Sequence, residues 1–329
     1  MDGGLQHVVR QSMHRAGQLR VPLRLAGLAL TVAAATACGA SSVNVTAVAN
    51  QVSPTPAPTP TPSPTSSVPV NQLLSVCPKT RSFSSLPVFA QVPNASDLAV
   101  AGDGSVWVSS ESAGQVLHLS STGATMVTFN EPSPTGVAVL PSGNVLIAEQ
   151  SQDLIVELDP STLAVTSFLQ LTPDPPHPQI SGLGLDAADQ LVLVPDTAQS
   201  RVLTVPFAGG TPTVLISGIG TPDDAALGAD GAIEVSQAAG SGILSVPLAG
   251  GGSQKFATPG GLLGLAVKDL LFYVTQPASH SVLAFNPATG HTYTLITGVD
   301  RPEGIAITSD GQLLIADSTS GTVAIAPTC

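Results

Sequence analysis

Residues 303–325 read EGIAITSDGQLLIADSTSGTVAI, and the same pattern returns five times upstream in altered form. Apolar Ile305 and Ile307 alternate with small or polar residues as far as a turn at Asp310-Gly311. Leu313 and Ile315 resume the alternation, the chain breaks over 317–321, and Val323 and Ile325 alternate again. Period-two alternation bounded by turn residues predicts three short antiparallel strands per unit. A single unit of this kind cannot bury its own apolar faces, so the copies must pack on one another.

Taking the first turn of each copy at Asp103, Ser142, Ala188, Asp230, Asp269 and Asp310, successive copies lie 39, 46, 42, 39 and 41 residues apart. The predicted second strands end at Ser110, Glu149, Asp196, Gln237, Gln276 and Asp317. The third strands open at Gln115, Leu154, Arg201, Gly242, Ser281 and Thr322, five residues later in every copy. A period near forty with several strands per period predicts propeller blades. Five copies add a fourth strand, at 126–129, 165–169, 213–216, 255–257 and 293–296; the sixth runs out at Cys329. An open ring would leave a bare strand edge. Residues 87–92, PVFAQV, have the composition of the missing strand and are expected to complete the last blade from the N-terminal side. The predicted fold is all-β, a six-bladed propeller of four-stranded antiparallel blades spanning 77–329.

The residues before this domain divide in two. Residues 1–37 carry Arg10, Arg15, Arg20 and Arg24, then the apolar run from Leu25 to Ala37, which has the layout of an export signal. Ala35-Thr36-Ala37-Cys38 resembles a bacterial lipobox, which implies lipid on Cys38 and display on the outer face of a bacterial membrane. An uncleaved anchor or a cut nearby are the alternatives. Residues 38–76 form a linker with proline at every second position from Pro54 to Pro64. Such a sequence favours extended polyproline II and acts as a semi-rigid spacer. Cys77 and Cys329 then flank the predicted ring. Closure brings them together, and an exported protein keeps disulfides, so a Cys77–Cys329 bond is expected, with two free thiols as the alternative.

Past Cys38 the chain has six Lys and Arg against 21 Asp and Glu, a net charge of −15. Such a body does not gather phosphates by counterion release, which excludes nucleic acid as a partner. Contact with a membrane is expected through the lipid alone. The partner is expected to be an envelope protein or a small ligand, with the chain itself a monomer.

In a propeller the first strand of each blade lines the central channel, and the residue before it sits at the mouth. Those residues are Ser96, Thr135, Ser181, Asp223, Leu263 and Glu303, with Asp97 and Asp224 one step deeper. The units VPDTAQSRVLTV (194–205) and IADSTSGTVAI (315–325) resemble NHL repeats. RPEGIAITSDG (301–311) and TPDDAALGADG (221–231) look like blade openings of the gluconolactonase and strictosidine synthase-like group. The resemblance covers about 83–328 and implies the same propeller. It further implies a divalent cation, calcium or zinc, held by Asp223 and Glu303, with Asp97 or Asp224 in support, and hydrolysis of a lactone. That group also uses an Asn ligand, and no mouth position here supplies one; Leu263 stands in the blade between the two acids. The residues themselves leave two readings open: a displayed binding or scaffold module for a protein, peptide or small ligand, and a metal-dependent lactonase.

Other chemistries find no footing. The histidines have no metal-ligand spacing, and the mouth histidines of the streptogramin-lyase type of propeller have no counterpart motif. Nucleophile-elbow and phosphate-loop sequences are missing as well. Trp107, the single tryptophan, falls on a second strand and is expected to pack between blades.

Overall fold

The structure is a computed structural model that describes residues 77–329 apart from 173–179, 241 and 250–251. The expected export signal, lipid site Cys38 and linker lie outside the described residues. Six antiparallel sheets follow one another along the chain, each running outward from an inner strand beside the channel. The inner strands are Ala95–Val100, Pro134–Val139, Gly184–Asp186, Thr221–Leu227, Leu265–Lys268 and Pro302–Ile307. The ring closes as expected. Val88–Gln91 pairs antiparallel with Thr322–Pro327, setting Val88 opposite Ala324 and Gln91 opposite Thr322, and so becomes the fourth strand of blade 6.

Two details depart from the sequence reading. Arg81–Ser82 adds to blade 5 as a fifth strand, parallel to His291–Thr297. Two residues carry no alternation, so nothing in the sequence marked them. In blade 4 the second strand runs on to Ala239 and the third begins only at Leu244, because Thr221 pairs with Ala239 across an irregular register. The fourth strand there shrinks to Gln254–Lys255.

The core is a series of interfaces between consecutive blades. The second residue of each five-residue second-strand segment points at the next blade: Trp107 packs with Val137 and Ile147, Leu146 with Leu183, Leu193 with Ala225, Tyr273 with Ile305, and Leu314 with Leu98. Trp107 meets its expectation, 2% exposed and stacked on His118 with ring centroids 4.1 Å apart.

Blade 4 breaks the series with Glu234. Its side chain is 1% exposed; Oε1 accepts the Ser245 hydroxyl at 3.0 Å, while Oε2 has no partner among the described residues. Burial, with Asp230's charge adding to it, pushes this carboxyl from 4.5 up to about 7. The unfolded chain ionises near 4.5, so the folded state loses stability as pH rises from there through 7. A shift of that size corresponds to about 3 kcal/mol. Glu234→Leu, matching Leu146, Leu193 and Leu314, should raise stability at pH 8 by about 2 kcal/mol after loss of the Ser245 hydrogen bond. The gain should shrink towards pH 5; denaturant midpoints at the two pH values check it.

Candidate functional site

The six mouth positions do converge. Ser96, Thr135, Ser181, Asp223, Leu263 and Glu303 line one cavity of about 190 Å³, together with Asp97 and Asp224. Glu111, Gln150 and Arg301 complete the rim. Sequence reasoning missed these three. Glu111 and Gln150 each directly follow the end of a second strand, so the five-residue spacing that defined the repeat also placed them over the mouth.

Asp97 and Asp224 are built alike. Asp97 Oδ1 accepts the N–H of Leu98 at 2.8 Å and Oδ2 the N–H of Val137, on the next blade, at 2.9 Å. Asp224 Oδ1 accepts Ala225 N–H at 2.8 Å and Oδ2 accepts Leu265 N–H, again on the next blade, at 2.8 Å. An inner strand faces the channel with an unpaired edge, and its buried amides need acceptors. The two aspartates supply them, pegging blade 1 to blade 2 and blade 4 to blade 5. The other four blades carry glycine here, and the next strand comes in close. A Cβ on Gly304 would lie 2.6 Å from the Ser96 carbonyl, and one on Gly182 would lie 2.7 Å from Asp224 Oδ1.

Hydroxyls reinforce the same joints. Ser109 donates to the Thr135 carbonyl at 2.5 Å and Thr135 to that of Ile180 at 3.0 Å. Ser236 donates to the carbonyl of Leu263. The mouth is thus a ring of carbonyls held by neighbours, with side chains above it.

Of those side chains, Glu303 is the most engaged. Oε1 accepts from Arg301 Nε at 2.7 Å and from Ser318 at 3.0 Å, and Oε2 accepts Ser96 at 3.2 Å. Burial still lifts its carboxyl above the usual range against the pull of Arg301. Asp223 is half-buried and is pushed up to about 7 by burial, then by the charges of Asp224 and Glu303, with a Ser181 hydrogen bond opposing. Asp97 reaches about 7 through burial, with Asp223 and Glu303 adding to it. Asp224 is raised well above its ordinary value, by burial first and then by Asp97. Four carboxyls therefore sense one another across one small space, and Arg301 is the one basic side chain among the described residues of its lining. Below them, Asp97 and Asp224 also line a second cavity of about 380 Å³ that continues past Leu98, Leu265 and Ile305, so the pair forms a neck.

The resemblance implied a divalent cation on Asp223 and Glu303. Calcium takes six or more oxygens converging on one point, and zinc takes four ligands drawn from His, Cys and carboxylates. Here Glu303 is committed to a guanidinium and two hydroxyls, both oxygens of Asp97 and Asp224 hold backbone amides, and Leu263 presents no donor. Among the described residues no group of three or more His, Cys, Asp or Glu is placed to hold a metal ion. This donor set does not fit calcium or zinc.

No protein-family model matches the chain, and no curated protein matches it in sequence. Solved structures do. A gluconolactonase from Xanthomonas campestris superposes with a TM-score of 0.62 at 15% identity, over 74% of this chain and 88% of that one. A chain of the nidogen/laminin complex gives 0.58 at 16%, over 68% and 85%. Catalytically inactive virginiamycin B lyase from Staphylococcus aureus, solved with quinupristin, gives 0.56 at 16%, over 70% and 80%. At these identities the likeness is one of fold. The six-bladed ring is shared by a hydrolase, a lyase and a protein complex, and chemistry has to be argued from the site.

Proposed function

We propose that this chain is a non-enzymatic binding module, lipid-anchored through Cys38 on the outer face of the cell and raised by residues 38–76. Its ligand is a small organic cation taken into the channel mouth. The observation that carries the reading is the convergence of Asp97, Asp223, Asp224 and Glu303 on a cavity of about 190 Å³ whose lining, among the described residues, holds one basic side chain. Buried like charges favour the neutral acid until an opposite charge arrives. An ammonium or guanidinium group would relieve that repulsion by donating to Asp223 without needing the tight oxygen cage a metal ion demands. The lactonase reading lacks the Asn ligand and the metal geometry. The Cys77–Cys329 bond agrees with an oxidising compartment.

A thermal-shift panel tests this with putrescine, agmatine and arginine amide beside calcium, zinc and neutral lactones. A ligand at one hundred times its Kd stabilises by about 2.7 kcal/mol. For a domain of this size that is a rise of roughly 5–10 °C. At least one amine should produce such a rise, more strongly at pH 8 than at pH 6 because Asp97 and Asp223 ionise near 7. Asp223→Asn should abolish it. Metal-dependent turnover of a lactone would instead establish the hydrolase.

A further inference from the structure

The position that Trp107 holds in blade 1 faces the joint with the following blade, and blade 4 alone sets an acid there. Trp107 stands across from His118, Leu146 from Glu157, Leu193 from Thr204, Tyr273 from Ala284 and Leu314 from Ile325, while Glu234 stands across from Ser245. An apolar side chain in that place needs no partner. A buried carboxylate does, and only half of this one is served. Ser245 donates to Oε1 at 3.0 Å, and Oε2 has no hydrogen-bond partner among the described residues. A buried oxygen left so calls for a proton, a water or a cation.

Other oxygens gather at the same place. In the strand Ala232–Ala239, Ala232 and Glu234 share one face, across from Pro247 and Ser245. A Cβ on Gly228 would lie 2.8 Å from Glu234 Oε1, 3.0 Å from Asp230 Oδ1 and 3.1 Å from the Ala232 carbonyl oxygen. Oxygens of three residues thus surround the hollow that the glycine leaves. The Ala232 carbonyl accepts Gly228 N–H at 2.7 Å and Asp230 Oδ1 accepts Ala232 N–H at 3.1 Å, and each of these oxygens keeps a further lone pair. In blade 1 the corresponding rungs are filled, with His118 stacked on Trp107 and its Nε2 2.9 Å from the Ser105 hydroxyl. Ala232 in place of Ser105 and Ser245 in place of His118 leave room in blade 4. A cavity of about 580 Å³ opens beside Asp230, Ala232 and Pro247, with Asp189 also in its lining. It offers a way in from solvent and space for water ligands.

We propose that Asp230 and Glu234, with the Ala232 carbonyl and the Ser245 hydroxyl, hold a calcium ion at the end of blade 4 opposite the mouth. The donors are all oxygen, which suits a hard cation, and the set contains neither the His nor the Cys that structural zinc favours. Two carboxylates, a carbonyl, a hydroxyl and waters from the cavity supply the six to eight ligands of calcium, in an arrangement too irregular for the strict octahedron of magnesium. Calcium takes Glu234 as the carboxylate, so the ion and the proton compete for the same buried oxygen. The ion lies apart from Asp223 and Glu303, and the inference stands whether or not the mouth takes an organic cation.

Thermal melts of the full chain at pH 8, stripped with EGTA and then given 10 mM calcium or magnesium, test the proposal. Calcium sites of extracellular modules have Kd values of roughly 0.1–1 mM, so calcium should raise the melting temperature by roughly 3–10 °C. Magnesium should raise it far less, and at pH 5.5 the calcium shift should shrink as the proton competes. Glu234→Gln keeps the shape and the Ser245 bond without the charge, and Asp230→Asn keeps the turn; in both the calcium shift should vanish. Melts in EGTA establish that the variants fold, since Glu234→Gln should match or exceed the wild type there. Asp223→Asn should keep the full shift, which separates this ion from the mouth. No calcium shift in the wild type, a shift that both Glu234→Gln and Asp230→Asn retain, or one that Asp223→Asn abolishes would overturn the proposal.

Discussion

Breaking the Cys77–Cys329 disulfide is expected to lower the melting temperature by roughly 10–20 °C. The bond joins residues 252 apart, so it closes almost the whole folded domain into one loop. For a loop that long the chain-entropy model credits the crosslink with roughly 5 kcal/mol. Each kcal/mol moves the midpoint of a domain this size by about 2–4 °C. The N-terminal strap it secures, residues 77–91, is otherwise held by the strand pairings of Arg81–Ser82 and Val88–Gln91 and by a few side chains. Tyr293 donates to the Pro78 carbonyl at 2.8 Å, Thr80 to that of Thr294 at 2.7 Å, and Phe83 and Leu86 are buried against blades 5 and 6. Once the strap leaves, blade 6 loses its fourth strand and the ring its closure. Trp107 sits in the interface of blades 1 and 2, away from the strap, so its emission reports the ring itself. Coincident loss of Trp107 burial at the lower temperature in Cys77→Ser is the expected result. An unchanged midpoint would mean that the blade contacts alone close the ring.

Removing either peg should cost about 2–4 kcal/mol. Asp97→Ala strands the amides of Leu98 and Val137, and Asp224→Ala those of Ala225 and Leu265. Each buried amide left without an acceptor costs about 1–3 kcal/mol, and removal of a desolvated acid offsets part of the sum. The pH dependence has a definite sign. Asp97 titrates near 7 in the folded protein against 3.8 ordinarily, so its contribution is greatest at low pH and declines as pH rises through 7. The penalty of Asp97→Ala should therefore be larger at pH 5.5 than at pH 8. Because Asp97 raises Asp224 by its charge, each single substitution already relieves that repulsion, and the double variant should cost more than the two single ones added. Were these acids free ligand groups with no joint to hold, either alanine would leave the protein as stable or more so.

Much of the fold was legible because a repeat multiplies weak evidence. A single Asp-Gly turn between alternating residues says little, but six turns, each followed by the same five-residue interval from second strand to third, say propeller. The closing strand at 88–91 and the disulfide followed from topology, since a ring's two ends must meet. Arg81–Ser82 left no trace because a two-residue parallel strand has no period. The mouth was legible by register, and Asp223 and Glu303 stand where expected. The role of Asp97 and Asp224 was not: aspartate in blades 1 and 4 and glycine in the other four was visible in the alignment, but only the packing shows that the carboxylates replace missing strand partners.

Calorimetric titration of agmatine into the protein at pH 7, run in buffers of different ionisation heat, tests the cation-binding mouth most directly. Saturable binding is expected, accompanied by proton release as Asp97 and Asp223 ionise around the guest, and lost in both Asp223→Ala and Glu303→Ala. Absence of binding by agmatine and the other amines, together with micromolar calcium or zinc binding that the same two substitutions remove, would contradict the account and return the mouth to metal-dependent hydrolysis.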